Sequence, residues 1–170
     1  MSLHHDFDEV DAFTAGAVGR PGERTFYVQA RRGGTRITIK CEKQQVAAIA
    51  EHLGRLLNDL PAPTERPVDS AMQLVEPLDA AFVLGPVGLG YDRVTGRLLV
   101  QLEEVITVDE EGNPLDDEDD DRGQVRVYLT THQAHAFCQQ TAVVVAAGRP
   151  PCRWCARPID PDGHVCPRMN

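Results

Sequence analysis

The residues with the clearest chemical potential stand near the end of the chain. Cys152-Arg-Trp-Cys155 is followed by His164-Val-Cys166, a C-x2-C-x8-H-x-C pattern held within fifteen positions. Thiolates and imidazoles are good ligands for a borderline-soft ion. A C-x-x-C pair can set two thiolates on one Zn2+ from a single tight turn, and a second pair completes the tetrahedron. Pro158 and Pro161 stiffen the connection, and Gly163 lets the backbone turn toward His164, so the two pairs can face one another. The expectation is a structural zinc knuckle ligated by Cys152, Cys155, His164 and Cys166. A redox-active pair is the first rival, but that chemistry wants the leading cysteine at a helix N-terminus, and the prolines oppose a helix here. A catalytic zinc needs an open position and a nearby base, and the local Asp160 and Asp162 read more simply as turn residues. His164 and Cys166 are separated by one residue, closer than the common spacing. If only one of them binds, His4, His5, His132 or His135 would have to supply the fourth ligand.

Trp154 sits inside the C-x-x-C, with Arg149, Arg153, Arg157 and Arg168 around it. An aromatic interleaved with guanidinium groups can present a binding face, and Trp154, Arg153 and Arg157 are the expected partner-binding residues. The competing reading has Trp154 packing the knuckle against the body. The chain is poor in other chemistry. Gly85-Pro-Val-Gly88-Leu-Gly90 has no Lys-Ser/Thr ending and leads into strand, so it is not a phosphate loop. No nucleophile elbow, H-E-x-x-H or kinase signature is present. His132 and His135 stand three apart on an expected helix, where exposed surface histidines are the simpler reading. No catalytic residue is assigned.

The elements that must position this tail show an internal repeat. Phe13-x-x-Gly16-x-Val18-Gly19 recurs as Phe82-x-x-Gly85-x-Val87-Gly88, with the same offset at every matched position. Alternating, β-rich segments follow each copy. In the first, Arg32-Gly33-Gly34 suits a hairpin turn between Thr25-Phe-Tyr-Val-Gln-Ala and Thr35-Arg-Ile-Thr-Ile-Lys. In the second, Arg97-Leu-Leu-Val-Gln-Leu and Gln124-Val-Arg-Val-Tyr-Leu flank an acidic insertion. Each half then closes with a helical pattern. Val46, Ile49, Leu53, Leu56 and Leu57 form one apolar stripe; Ala134, Phe137, Cys138 and Thr141 form the other, after an N-cap at Thr130-Thr131. The fold class expected is α+β, two tandem βββα repeats packed together about a pseudo-twofold, with a C-terminal zinc knuckle. The shared phenylalanines should be core, and the shared glycines turns or bulges. The first half spans 1–60, a Pro-rich linker 61–78, the second half 79–147 with its insertion at 109–121, and the tail 148–170.

The net charge of −9 is local. Residues 109–121 hold nine carboxylates and no base, and the remaining 17 acids balance the 17 Lys and Arg. Such a run reads as a solvated insertion. No stretch approaches the length of a membrane span, and the first residues lack the plan of a signal peptide. The expected location is the cytoplasm, where clustered thiols favour a metal over a disulfide.

Several strings together resemble one family. They are Phe13-Thr-Ala-Gly-Ala-Val-Gly-Arg-Pro-Gly-Glu-Arg-Thr-Phe-Tyr, Glu42-Lys-Gln-Gln-Val-Ala, Gly148-Arg-Pro-Pro-Cys-x-x-Cys and Asp160-Pro-Asp-Gly-His-Val-Cys. The chain is similar to the mainly actinobacterial family catalogued as domain of unknown function 3090. That resemblance implies a bacterial cytoplasmic protein, sometimes encoded near phosphomutase-like and lipid-kinase-like proteins, and carries no assigned activity. The functional expectation is a non-enzymatic zinc-binding interaction or adaptor protein whose partner is another protein. One alternative is an enzyme or sensor that takes a phosphorylated small molecule or nucleotide between the halves, on backbone N–H groups of the two Gly-Val-Gly segments. The other is nucleic-acid binding through the tail, which the acidity of the chain disfavours.

Overall fold

A computed structural model describes residues 2–64, 69–115, 122–160 and 162–169. Part of the expected linker (65–68), part of the acidic insertion (116–121) and Pro161 lie outside the described residues. The strands are β1 (His4–Phe7), β2 (Ala12–Val18), β3 (Thr25–Arg32), β4 (Thr35–Cys41), β5 (Ala80–Asp92), β6 (Arg97–Glu104) and β7 (Gln124–Leu129). Helix α1 (Lys43–Asn58) follows β4 and helix α2 (Thr131–Ala146) follows β7. The mixed α+β class is as expected. Gly33-Gly34 makes the turn between Arg32 and Thr35, which pair across β3 and β4. Val46, Ile49, Leu53 and Leu57 are the buried stripe of α1. At the start of α2, the Thr130 hydroxyl accepts from the Gln133 N–H (3.3 Å), while the Gln133 side chain accepts from the Thr130 N–H (3.0 Å). This reciprocal cap satisfies two amides that the helix itself leaves unpaired.

The seven strands form one sheet in the order β1-β7-β6-β5-β4-β3-β2. Strands β4 and β5 pair in parallel, so the meanders β2-β3-β4 and β5-β6-β7 point the same way. They are related by a shift of three strands along the sheet, which on a curled sheet amounts to a rotation about the axis of the curl, so the strand order does not contradict the expected pseudo-twofold. Strand β1 adds to the far edge, parallel to β7. A short tether then sets the shape. β1 and β2 are opposite edges, yet Phe7 and Ala12 are joined by a chain that reaches at most ~18 Å. Six flat strand spacings would span ~29 Å. The sheet must therefore twist and curl until its edges approach. Helix α2 confirms this geometry: Gln133 Nε2 donates to the Val10 carbonyl just before β2 (2.8 Å), and Arg24, at the end of the β2–β3 turn, donates from Nη1 to the Val144 carbonyl (2.8 Å). The helix that leaves β7 thus runs along β2, with Phe13 and Phe137 stacked at 4.7 Å.

One continuous core lies between the helices and this curled face, joining Phe13, Val28 and Ile39 to Leu98, Val100, Leu102, Val125 and Val127. Both repeat phenylalanines, Phe13 and Phe82, are in it. The other face of β2-β3-β4 is closed by the second part of the expected linker, residues 71–75. Thr14 Oγ1 donates to the Met72 carbonyl (2.6 Å) and Arg31 Nη2 to that of Ala71 (2.7 Å). Gln29, fully buried, exchanges two hydrogen bonds with the Val75 backbone and donates to Thr38 Oγ1. Gly16 lets this strap sit close, because a Cβ there would lie 2.6 Å from the Leu74 side chain. Gly85 lies where the β5 register shifts, and its Cβ would meet the Val105 backbone at 2.6 Å.

These positions correct one expectation. The two Gly-Val-Gly segments lie on β2 and β5, with β3 and β4 between them, and three strand spacings separate them by ~14 Å. Leu74 and Val105 fill the space beside Gly16 and Gly85, so the segments do not line a common phosphate-binding groove.

Removing the Gln29 side chain would leave the half-buried Val75 amide and carbonyl without their partner. Gln29→Ala is expected to cost about 2–3 kcal/mol in urea unfolding, whereas Val94→Ala at a site 95% exposed should stay within about 0.5 kcal/mol.

Candidate metal centre

The tail is a hairpin followed by a second turn. Pro151 bridges Pro158, Cys152 N–H donates to the Arg157 carbonyl (2.8 Å) and Ile159 N–H to that of Pro150 (2.8 Å). The tip of this hairpin carries Cys152 and Cys155, closed by a bond from Ala156 N–H to the Cys152 carbonyl (2.8 Å). Ala156 has φ 59°, the left-handed region, which an L residue with a Cβ adopts only at a cost. Asp160 and Gly163 form the second turn, with Gly163 N–H on the Asp160 carbonyl (2.9 Å). That turn returns His164 and Cys166 to the first pair.

The four ligand atoms of Cys152, Cys155, His164 and Cys166 lie within 4.8 Å of one another. Cys152 Sγ is 3.9 Å from Cys166 Sγ, and Cys155 Sγ is 4.0 Å from His164 Nε2. A tetrahedral ion with metal–sulfur bonds of about 2.3 Å sets its ligands roughly 3.8 Å apart, so the cluster could hold one metal ion. His164 and Cys166 both join it; His4, His5, His132 and His135 do not belong to the group. His132 and His135, expected as exposed helix histidines, are half-buried on α2.

Local electrostatics favour a thiolate. The amide N–H groups of Cys155 and then Trp154, the latter 3.4 Å from Cys152 Sγ, pull Cys152 down from 9.0 to about 6. Burial, reinforced by the neighbouring thiols, holds Cys166 above the ordinary thiol value. Cys41 and Cys138 are different in kind: burial raises Cys41 to about 12, helped by Glu42, and raises Cys138 to about 11. All five cysteines are free thiols. No helix begins at Cys152 or Cys155, so the N-terminal dipole that activates a thioredoxin-type cysteine is missing. Asp160 pairs with Arg149 of the tail itself (2.8 Å), and Asp162 with Arg20 of the body (3.8 Å).

The knuckle projects its remaining side chains outward. Trp154 is 51% exposed, with the Arg153 guanidinium 4.9 Å from its ring centroid. Arg157 is exposed as well. Trp154 is therefore not sealed against the body. A cleft of about 490 Å3 also lies where the curled sheet meets itself, lined by Asp8, Arg32, Asp92 and Tyr128 among others. Glu9 spans it, 3.2 Å from Arg32 and 3.3 Å from Arg97. Sequence reasoning missed this cleft because its residues come from four segments with no shared motif.

Two outcomes follow for the tail. In the metal-free chain, thiolate ultraviolet absorbance should show a first thiol titrating near about 6, with Cys138 and Cys41 silent until far higher pH. Because the folded value of Cys152 lies below 9.0, its contribution to tail stability is complete above that pH. It is lost as pH falls toward about 6. Ala156→Gly should relieve the left-handed strain and strengthen metal retention against a chelator by up to about 1 kcal/mol.

A family model described as a protein of unknown function, DUF3090, matches residues 5–166. No curated protein and no solved structure matches the chain significantly. The match covers the curled sheet from His5 onward, both helices and all four residues of the Cys/His cluster, and the chain belongs to the DUF3090 family.

Proposed function

We propose that this protein is a non-enzymatic interaction or adaptor protein whose C-terminal knuckle holds one structural zinc ion. The observation that carries the reading is the convergence of Cys152, Cys155, His164 and Cys166 within 4.8 Å. Three thiolates and one imidazole are a common closed zinc set, and a tetrahedral site with four protein ligands leaves no position for substrate. A segment this short has no core of its own, so the ion stands in for one and fixes what the segment presents. Trp154, Arg153 and Arg157 are the presented groups, and another protein is the partner. Trp and Arg are the residues that most often anchor such interfaces. The same order of three strands and a helix in both halves, each with a buried phenylalanine near the start of its first strand, supports descent from one duplicated unit.

Elemental analysis by ICP-MS should find one zinc per chain, lost in the Cys152→Ser, Cys155→Ser variant. Iron, or no metal together with a Cys152–Cys155 disulfide, would overturn the zinc assignment. Trp154→Ala combined with Arg153→Ala should keep the zinc and lose capture of the partner protein. Unchanged capture would remove the knuckle from the interface.

A further inference from the structure

We propose that the knuckle cap of one copy docks on the acidic hairpin around residues 105–115 of a second copy, the two copies exchanging this contact reciprocally. The proposal rests on the knuckle being a presented interaction surface, as argued above, and names its occupant.

The cap combines apolar and cationic groups. Trp154, Val165 and Met169 are 51%, 84% and 67% exposed. Arg153, Arg157 and Arg168 are exposed as well, and none forms an ion pair with a described residue. The acidic groups of the tail are already engaged, Asp160 with Arg149 and Asp162 with Arg20. What faces solvent at the tip is thus positive on a chain whose net charge is −9.

The complementary surface is on the same chain. After β6, residues 105–115 fold back on themselves, with Val108 bridging Pro114, Asp109 N–H on the Asn113 carbonyl (2.8 Å) and Leu115 N–H on that of Thr107 (2.9 Å). This hairpin exposes Val105, Ile106, Val108 and Leu115 by 42 to 58%, beside the exposed carboxylates of Glu110 and Glu111. Asp109 serves the turn itself, its carboxylate accepting from the N–H groups of Glu111 and Asn113. Exposed apolar and cationic side chains on the knuckle thus meet their complement in the exposed apolar side chains and two carboxylates of the hairpin. Opposed charges steer and orient such a contact, and the apolar groups hold it. A single head-to-tail contact would leave both surfaces of the pair open to further copies. Reciprocal exchange closes a twofold dimer and doubles the area buried.

The experiment is sedimentation equilibrium of the full, metal-loaded chain across concentration at low and high ionic strength. A dimer at low ionic strength that weakens with salt is expected. The pair Arg153→Glu, Arg157→Glu and the pair Glu110→Lys, Glu111→Lys should each weaken it at least ~10-fold. Mixing the two variants should restore a heterodimer, because each reversed surface then meets its opposite on the other chain. A monomer at every concentration overturns the proposal, as does a dimer indifferent to both reversals. A change of hydrodynamic radius at constant mass also overturns it, by placing the contact within one chain. Metal content of each variant is read alongside: one zinc per chain with no dimer sinks the self-association alone, whereas loss of zinc from the unmodified chain sinks the knuckle reading.

Discussion

The four residues between Phe7 and Ala12 govern the shape of this molecule. They connect opposite edges of a seven-stranded sheet, a distance that so short a chain cannot cover if the sheet lies flat. Right-handed strand twist already rotates neighbours by some 20 to 25°, and the tether carries that tendency until the edges come together. The curled face creates the trough in which α2 lies, fixed at its first turn to Val10 and near its last to Arg24. The aromatic stack of Phe13 on Phe137 and the single core that joins both meanders follow from that placement. The cleft bridged by Glu9 is another consequence, formed where distant turns are brought side by side.

The position of the tail depends on the same arrangement. Because α2 runs along β2, its C-terminal end emerges beside the β2–β3 turn. There Arg24 reaches α2 through the Val144 carbonyl, and Arg20 meets Asp162. These contacts with the body are polar and largely exposed, and exposed ion pairs contribute little to stability. The knuckle therefore depends on its own internal restraints: the hairpin bonds around Cys152, the turn at Gly163, and the four ligands that a metal ion would tie together. An ion that binds only the ordered form stabilises that form. Cys41 and Cys138 take no part, since burial holds both thiols protonated at neutral pH.

Much of this was legible in the order of the residues. The convergence of the four side chains was readable because Cys152, Cys155, His164 and Cys166 are close in sequence, and tight turns bring such neighbours together whatever the rest of the chain does. The α1 stripe, the Thr130 cap and the Gly33-Gly34 turn were readable for the same local reason. The long-range readings fared differently. The shared Phe-Gly-Val-Gly pattern suggested a joint glycine site, but strand pairing put β3 and β4 between the two segments. Nothing in either copy encodes which edge of one meander pairs with which edge of the other. Gln29 gave no signal either, because its partner Val75 lies in the connecting segment rather than in a strand.

The sequence by itself determined the six strands of the two meanders, both helices, the residue types of the tail and the location of its charge, all properties set within a few residues of chain. It carried no sign of strand β1. Only the tertiary structure decided the strand order, the curl of the sheet, the polar strap under β2-β3-β4 and the separation of the two glycine segments. Those depend on contacts between residues far apart in sequence, where chain reach and the need to bury both faces of one sheet select a single arrangement from several that local preference allows.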